Sequence, residues 1–295
     1  MSFLKKCLLI VSALLAVILT SCGTKAKSYV ILEVAGYDHV LEADHANEFD
    51  WKPKEYTNVD APPAKIIEIN GEIIEGSYDC SRNSYRYDME ADYYEGTNGS
   101  KTVTFGISQA TGRIIRYSWC DTEYVENHQA EPKKNRDECY QSALKYLQQY
   151  VSDADAYSLE KEQYWNIPEY NGAYEFNFVR KIGDKSTTDY AIIDVTIYGH
   201  VYGHLFGQLG EMKNVDVLTQ DKQTEIQTQV FSKLDQIYTN LKNEYQTKYE
   251  VSDLVITKLS DGKLALEYHV DVSLQSYSDA TSKLNETTHF IVYLD

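Results

Sequence analysis

Basic residues and cysteines are both scarce in this chain, and each scarcity removes a class of function. Lys and Arg total 28 against 45 Asp and Glu, a net charge of −17 over 295 residues. Nucleic-acid binding rests on neutralising phosphates, and no basic stripe interrupts the acid excess, so no nucleic-acid partner is expected. The five cysteines stand at Cys7, Cys22, Cys80, Cys120 and Cys139, and none belongs to a CxxC pair. Zinc-type clustering and thioredoxin-like redox chemistry lose their usual signature. GxSxG, Walker and dinucleotide motifs are missing as well, so no catalytic residue and no cofactor is assigned. The acids are numerous enough that a carboxylate pair for general acid/base work stays open, because such pairs are defined by distance and not by spacing.

What is present begins with the leader. Lys5 and Lys6 precede an apolar run from Cys7 to Leu19, and Thr20-Ser21 places small residues before Cys22. This is the pattern of an export signal, residues 1–21. The run is short for a spanning helix, which needs about 20 apolar residues to cross a bilayer core. The order Leu19-Thr20-Ser21-Cys22 resembles the lipobox of bacterial lipoproteins. That resemblance implies that Cys22 becomes the first mature residue and carries a diacylglycerol. Two acyl chains, at ~0.8 kcal/mol per buried CH₂, are enough for stable anchoring. The expected location is therefore the outer face of a bacterial membrane, with Lys25 and Lys27 beside the lipid and the acidic body standing off it.

Residues 22–63 read as anchor, tether and an irregular segment broken by Pro53 and Pro62-Pro63. Residues 64–130 read as a β-meander module. Asn70-Gly71 between Ile66–Ile69 and Ile73-Ile74 suits a type I′ hairpin turn, and Val103, Phe105 and Ile107 alternate with polar or small residues, as do Ile115, Tyr117 and Trp119. Residues 131–214 read as a helix plus antiparallel sheet. Asn135 and Glu138 resemble a capping box, and Cys139, Ala143, Leu147, Tyr150 and Val151 share one helical face. Residues 215–295 repeat that order. Ile226, Val230, Leu234, Ile237, Leu241 and Tyr245 form an amphipathic stripe after a Thr219 cap, and Leu264 to Leu274 alternate without a break. The fold expected is α+β, with antiparallel β-meanders each covered by an amphipathic helix in tandem small modules.

Gln109-Ala110-Thr111-Gly112-Arg113-Ile114-Ile115 resembles the hairpin of PepSY-type modules, and Ile197-Tyr198-Gly199-His200-Val201 resembles a degenerate second copy. The helix-plus-meander order is similar to extracytoplasmic PepSY-like and cystatin-like domains. The resemblance implies protein binding, peptidase inhibition or regulation at the cell envelope, although a fold alone does not carry a function.

Candidate sites are few. Cys80 and Cys120 flank one β-unit and are the favoured disulfide, with Cys139 a small core residue. Tyrosine is over-used, at 26 residues. Tyr85, Tyr87, Tyr93 and Tyr94 could form an aromatic recognition surface, or could simply fill the sheet. His200 and His204 have the i, i+4 spacing of helical metal ligands, but the surroundings are β-prone and Gly199 marks a turn, so no metal is assigned there. Asp38, His39, Glu42, Asp44, His45, Glu48 and Asp50 hold hard-cation ligand types without the EF-hand order, and read as a solvated loop or a weak cation site near His39 and His45.

The first functional reading is a non-enzymatic, lipid-anchored binding or regulatory protein with an envelope protein as partner. The alternative is a cell-envelope hydrolase using paired carboxylates. A transport lipoprotein fits less well, since the βαβ alternation of a two-lobed binder is absent. Oligomeric state is left open. Intact mass of the mature chain is expected to start at Cys22 with a lipid adduct, and an unmodified terminus elsewhere would end the anchoring argument.

Overall fold

Asn70 and Gly71 form the turn that their residues predict, both with positive φ (53° and 78°). They join β3 (Ala64–Ile69) to β4 (Glu72–Asn83). β5 (Ala91–Asn98), β6 (Lys101–Ser108) and β7 (Ile114–Asp121) complete an antiparallel meander. The computed structural model describes residues 31–34, 54–279 and 281–294. The leader, Cys22, the tether and the cluster from Asp38 to Asp50 lie outside the described residues.

Two helices follow from their caps and stripes. A short α1 (Tyr124–His128) leads to α2 (Arg136–Leu147). The Asn135 side chain accepts from the Glu138 N–H at 3.0 Å, and Glu138 accepts from the Asn135 N–H at 2.8 Å, so the capping box is formed. Cys139, Ala143, Tyr146 and Leu147 of α2 pack on Phe176, Phe178, Ile193 and Phe206. Those partners come from β9 (Ala173–Ile182), β10 (Lys185–Thr196) and β11 (Val201–Phe206), with β8 (Tyr157–Trp165) alongside β9. The third helix, α3 (Gln220–Ile237), is capped by Thr219 and buries Ile226, Val230 and Leu234. Its stripe covers Leu266, Tyr268 and Val270 in a sheet of β12 (Tyr245–Lys258), β13 (Leu264–Ser276) and β14 (Lys283–Tyr293). The stripe was expected to reach Tyr245 within the helix. Instead the helix stops at Ile237, and Tyr245 opens β12 because its backbone pairs with Ser276.

The expected α+β arrangement of tandem modules is overturned. Strands make up 51% of the described residues and helices 18%, and the strands form one 14-stranded sheet. Its order is β1-β14-β13-β12-β10-β11-β7-β6-β5-β4-β2, where β1 is Ile31–Val34 and β2 is Lys54–Tyr56. Two contacts fuse the pieces: β11 pairs antiparallel with β7, and β10 pairs parallel with β12 through Ser186 and Thr187. Alternation reports which face a residue occupies and is silent about which edge its strand presents. An open edge leaves backbone donors and acceptors unpaired, and edge-to-edge pairing satisfies them. Among the described residues no long helix covers the first meander, only the short α1 through Tyr124 and Val125. Ile69, Ile74, Phe105 and Trp119 pack instead against Tyr124, Tyr170, Ile197 and Tyr198.

The tyrosine segment is a structural seam. Tyr85 is buried and donates to Glu267 at 2.8 Å, and Arg86 pairs with the same carboxylate at 2.6 Å. The Tyr87 N–H bonds to the Lys258 carbonyl and the Ser260 N–H to the Tyr85 carbonyl. Gln208, fully buried, completes the joint. Its amide donates to the carbonyls of Tyr87 (2.8 Å) and Lys258 (2.5 Å), and its oxygen accepts from Lys258 N–H (2.9 Å) and the Thr188 hydroxyl. Burial alone would raise the Glu267 carboxyl, but bonds from His269, Arg86 and Tyr85 hold it down at about 2.

Replacing Gln208 by Met keeps the volume and strands these partners, so urea unfolding is expected to show a loss of about 2–4 kcal/mol, each stranded buried group costing ~1–3 kcal/mol. Arg86→Met, which strips the buried Glu267 carboxylate of its guanidinium partner and leaves it only Tyr85 and His269, should cost about 3–5 kcal/mol. An Ile66→Ala control at an exposed strand position should change stability by about 0.5 kcal/mol or less.

Candidate functional site

Edge pairing of β11 with β7 brings the β10–β11 turn beside α1 and opens a cleft between the first meander and α2. The cleft has a volume of about 540 Å³. Asn70 and Glu72 of the first hairpin, Lys101 of β6, and Tyr117 and Trp119 of β7 form one wall. Tyr124, His128, Lys134, Lys145, Tyr146 and His200 form the other. Three lysines thus converge on one concave, aromatic-lined surface of an acidic chain. Lys101 bonds Glu72 at 2.8 Å and lies 5.1 Å over the Trp119 ring. The Lys134 side chain runs across Gly199, where φ is +85° and where an added Cβ would meet the Lys134 Nζ at 2.3 Å. The positive φ of the turn is what favours glycine there.

Three side chains meet at one end of the cleft. His128, Glu131 and His200 each direct one ligand-type atom to a common point, all within 4.8 Å of one another. The His128 and His200 Nε2 atoms stand 3.9 and 3.6 Å from the Glu131 oxygens. His128 Nδ1 lies 2.7 Å from the Tyr124 carbonyl oxygen. A carbonyl can only accept, so Nδ1 carries a proton there and Nε2 is the ring atom turned to Glu131. His200 Nδ1 lies 2.8 Å from the Tyr124 hydroxyl, which is 2.7 Å from the Thr196 hydroxyl. Burial lowers the His200 pKa against the pull of Glu131, and His128, Lys134 and Lys101 lower it further.

His200 occupies the hairpin tip expected of it, but its i, i+4 partner is elsewhere. His204 is buried, stacks on Phe206 with ring centroids 4.0 Å apart, and bonds Tyr146 through Nδ1 at 2.8 Å. Burial pushes it down to about 3, so it is neutral at ordinary pH. His128 and Glu131 drew no attention in the sequence, and an i, i+3 His and Glu in a polar loop is too weak a signal to have done so.

The remaining candidates are built into the fold. Tyr94 is buried against Phe105, Tyr85 faces Glu267, and Tyr87 and Tyr93 are half-buried under Lys258 and Arg82. The four do not form an open surface, since sheet pairing and the seam consume their faces. Cys80 and Cys120 are both free thiols. They lie on β4 and β7 with β5 and β6 between them, so at 4.7–4.9 Å per strand step their backbones stand roughly 14 Å apart, too far for a disulfide. Cys139 is the core residue expected, its thiol pushed up to about 11 by burial.

A carboxylate pair is present on the sheet. Asp194 of β10 lies opposite Glu175 of β9, and neither lines the cleft. Burial first, and Glu175 second, raise Asp194 to about 6 against the pull of Arg116.

Residues 70–201 match the protein family described as "YcdB, YcdC repeated domain". Every cleft-lining residue falls within that span. Among solved structures, the C-terminal domain of YpeB from Bacillus megaterium is similar at 12% identity and a TM-score of 0.34, covering 76% of this chain and 88% of that one. A likeness this loose fixes neither fold nor function. No curated protein matches.

Asp194 supplies a test by pH. The folded chain keeps its proton up to about pH 6 while the unfolded chain releases it near 3.8, so stability from this group falls as pH rises through that window. Asp194→Asn is therefore expected to stabilise the protein by about 2–3 kcal/mol at pH 8, at ~1.4 kcal/mol per pKa unit, and to lose that advantage below about pH 4. Thermal melts of both proteins across this range provide the measurement.

Proposed function

We propose that this chain is an extracytoplasmic, lipid-anchored binding module of regulatory type, and that it recognises an anionic group of an envelope partner in the cleft between the first meander and α2. The observation that carries this reading is the convergence of Lys101, Lys134 and Lys145 on an aromatic-lined concavity in a chain of net charge −17. Against such a background, three cations at one concave surface mark where a negative group gains most. The aromatic rings of Tyr117 and Trp119 add rigid contact area at low entropic cost. The match of residues 70–201 to a repeated domain and the PepSY-like hairpin at Gln109–Ile115 agree with a binding role, and the lipobox-like leader supports a position at a membrane surface.

The hydrolase alternative finds its carboxylate pair in Asp194 and Glu175. That pair is packed within the sheet beside Gly203, whose added Cβ would stand 2.8 Å from the Asp194 carboxylate. Neither carboxylate lines the cleft, which favours the binding reading.

The test is capture from detergent-solubilised envelope with the lipidated protein as bait. Wild type is expected to retain one partner reproducibly, with elution by salt, because exposed charge pairs weaken as the Debye length shortens. A variant carrying Lys101→Gln, Lys134→Gln and Lys145→Gln should lose at least about tenfold of that capture, one lost charge contact being worth ~1.4 kcal/mol or more. Equal capture by the triple variant, or turnover of a wall or peptide substrate by wild type, would overturn the proposal.

A further inference from the structure

We infer that His128, Glu131 and His200 form a binding site for a divalent transition-metal ion of the zinc type, with an open coordination position facing the cleft. The site shares a wall with the lysine cleft but does not depend on the reading of that cleft.

Two imidazoles and one carboxylate form a borderline ligand set that suits zinc over calcium or magnesium, which prefer oxygen alone. Tetrahedral zinc with bonds of 2.0–2.1 Å separates its ligand atoms by about 3.3–3.4 Å. Each histidine Nε2 faces a different Glu131 oxygen, at 3.9 and 3.6 Å, and one ligand atom from each of the three lies within 4.8 Å of the others, so rotation of these partly exposed side chains brings the set to bonding distance. All three side chains retain solvent access, at 24%, 43% and 40% exposure for His128, Glu131 and His200, which leaves an entry path and room for a fourth ligand.

The outer shell is already in place. A metal-ligating histidine donates its second ring N–H to a carbonyl, carboxylate or water, which sets the tautomer and orients the ring. His128 does this through the Tyr124 carbonyl. His200 Nδ1 is hydrogen-bonded to the Tyr124 hydroxyl, which also bonds the Thr196 hydroxyl. One buried tyrosine therefore aims both histidines, through its backbone and its side chain, at the same point. Surface histidines that meet by chance have no reason to share such a support.

A second His–Glu group shows the contrast. Glu267, His269 and His289 also approach one another, but the Arg86 guanidinium already occupies the Glu267 carboxylate at 2.6 Å and repels a cation. That group serves the seam.

The full chain, stripped with chelator and kept in detergent, is titrated with zinc by calorimetry and with cobalt by visible absorption. One zinc per chain is expected, with cobalt giving the intense bands of a four-coordinate site. His128→Gln, Glu131→Gln and His200→Gln should each weaken zinc by at least about 100-fold, and Tyr124→Phe by about 10–100-fold as a loss of outer-shell support. Circular dichroism and the melting temperature of each metal-free variant report folding. Glu131→Gln, at an exposed position, is the variant least able to disturb the fold. His39→Gln with His45→Gln should leave this zinc in place. No saturable zinc binding by wild type would overturn the inference. Unchanged affinity in folded Glu131→Gln, or loss of zinc only with His39 and His45, would do the same.

Discussion

Pairing of β11 with β7 is the constraint on which the rest of this structure depends. Gly203, His204 and Leu205 align with Ser118, Tyr117 and Arg116, and through those few residues the first meander and the central sheet become one surface. Without that ladder, Trp119 would have no Tyr170 and Tyr202 to pack against. The β10–β11 turn would have no reason to stand beside α1. The cleft, its lysines and the His128–Glu131–His200 group all sit at this junction, so each is a product of edge pairing.

A second joint closes the other side of the same meander. The connection between β4 and β5 lies against β12 and β13, held by backbone bonds at Tyr85 and Tyr87 and by the Arg86–Glu267 pair. Gln208 fills the gap with a side chain whose two donors and its acceptor oxygen are all used. A buried amide so placed gives little net stability over an apolar core, yet it tolerates no other register, because a shift by one residue would strand every partner at once. Segments distant in sequence are thus tied at two points, and the cleft between them keeps its shape.

Local signals in the sequence are legible where their cause is local. Asn70-Gly71 turns because both residues accept positive φ, and Asn135 with Glu138 caps because the geometry spans three residues. The alternations from Val103 to Ile107 and from Leu264 to Leu274 are strands whose apolar faces are buried. The α3 stripe ends about two turns early, at Ile237, for a reason outside the helix, since β12 claims Tyr245. Fold class was misjudged because patterning specifies faces, and two sheets that meet at their edges look like separate modules in sequence. The tyrosines stay open between recognition surface and sheet filling in sequence for a related reason: richness in a residue type does not say whether its partner is another molecule or Glu267.

By itself, the sequence determined the position of most strands, the two main helices, their caps, the tightest turns and the apolar stripes, because each depends on backbone preferences and side-chain periods within a dozen residues. Only the tertiary structure decided which edges pair, that one sheet replaces three, that Cys80 and Cys120 are held apart, and that His200 finds His128 and Glu131 and not His204. Those outcomes rest on distances between residues remote in the chain, and such distances are set by hydrogen-bond registers and packing that no local pattern encodes.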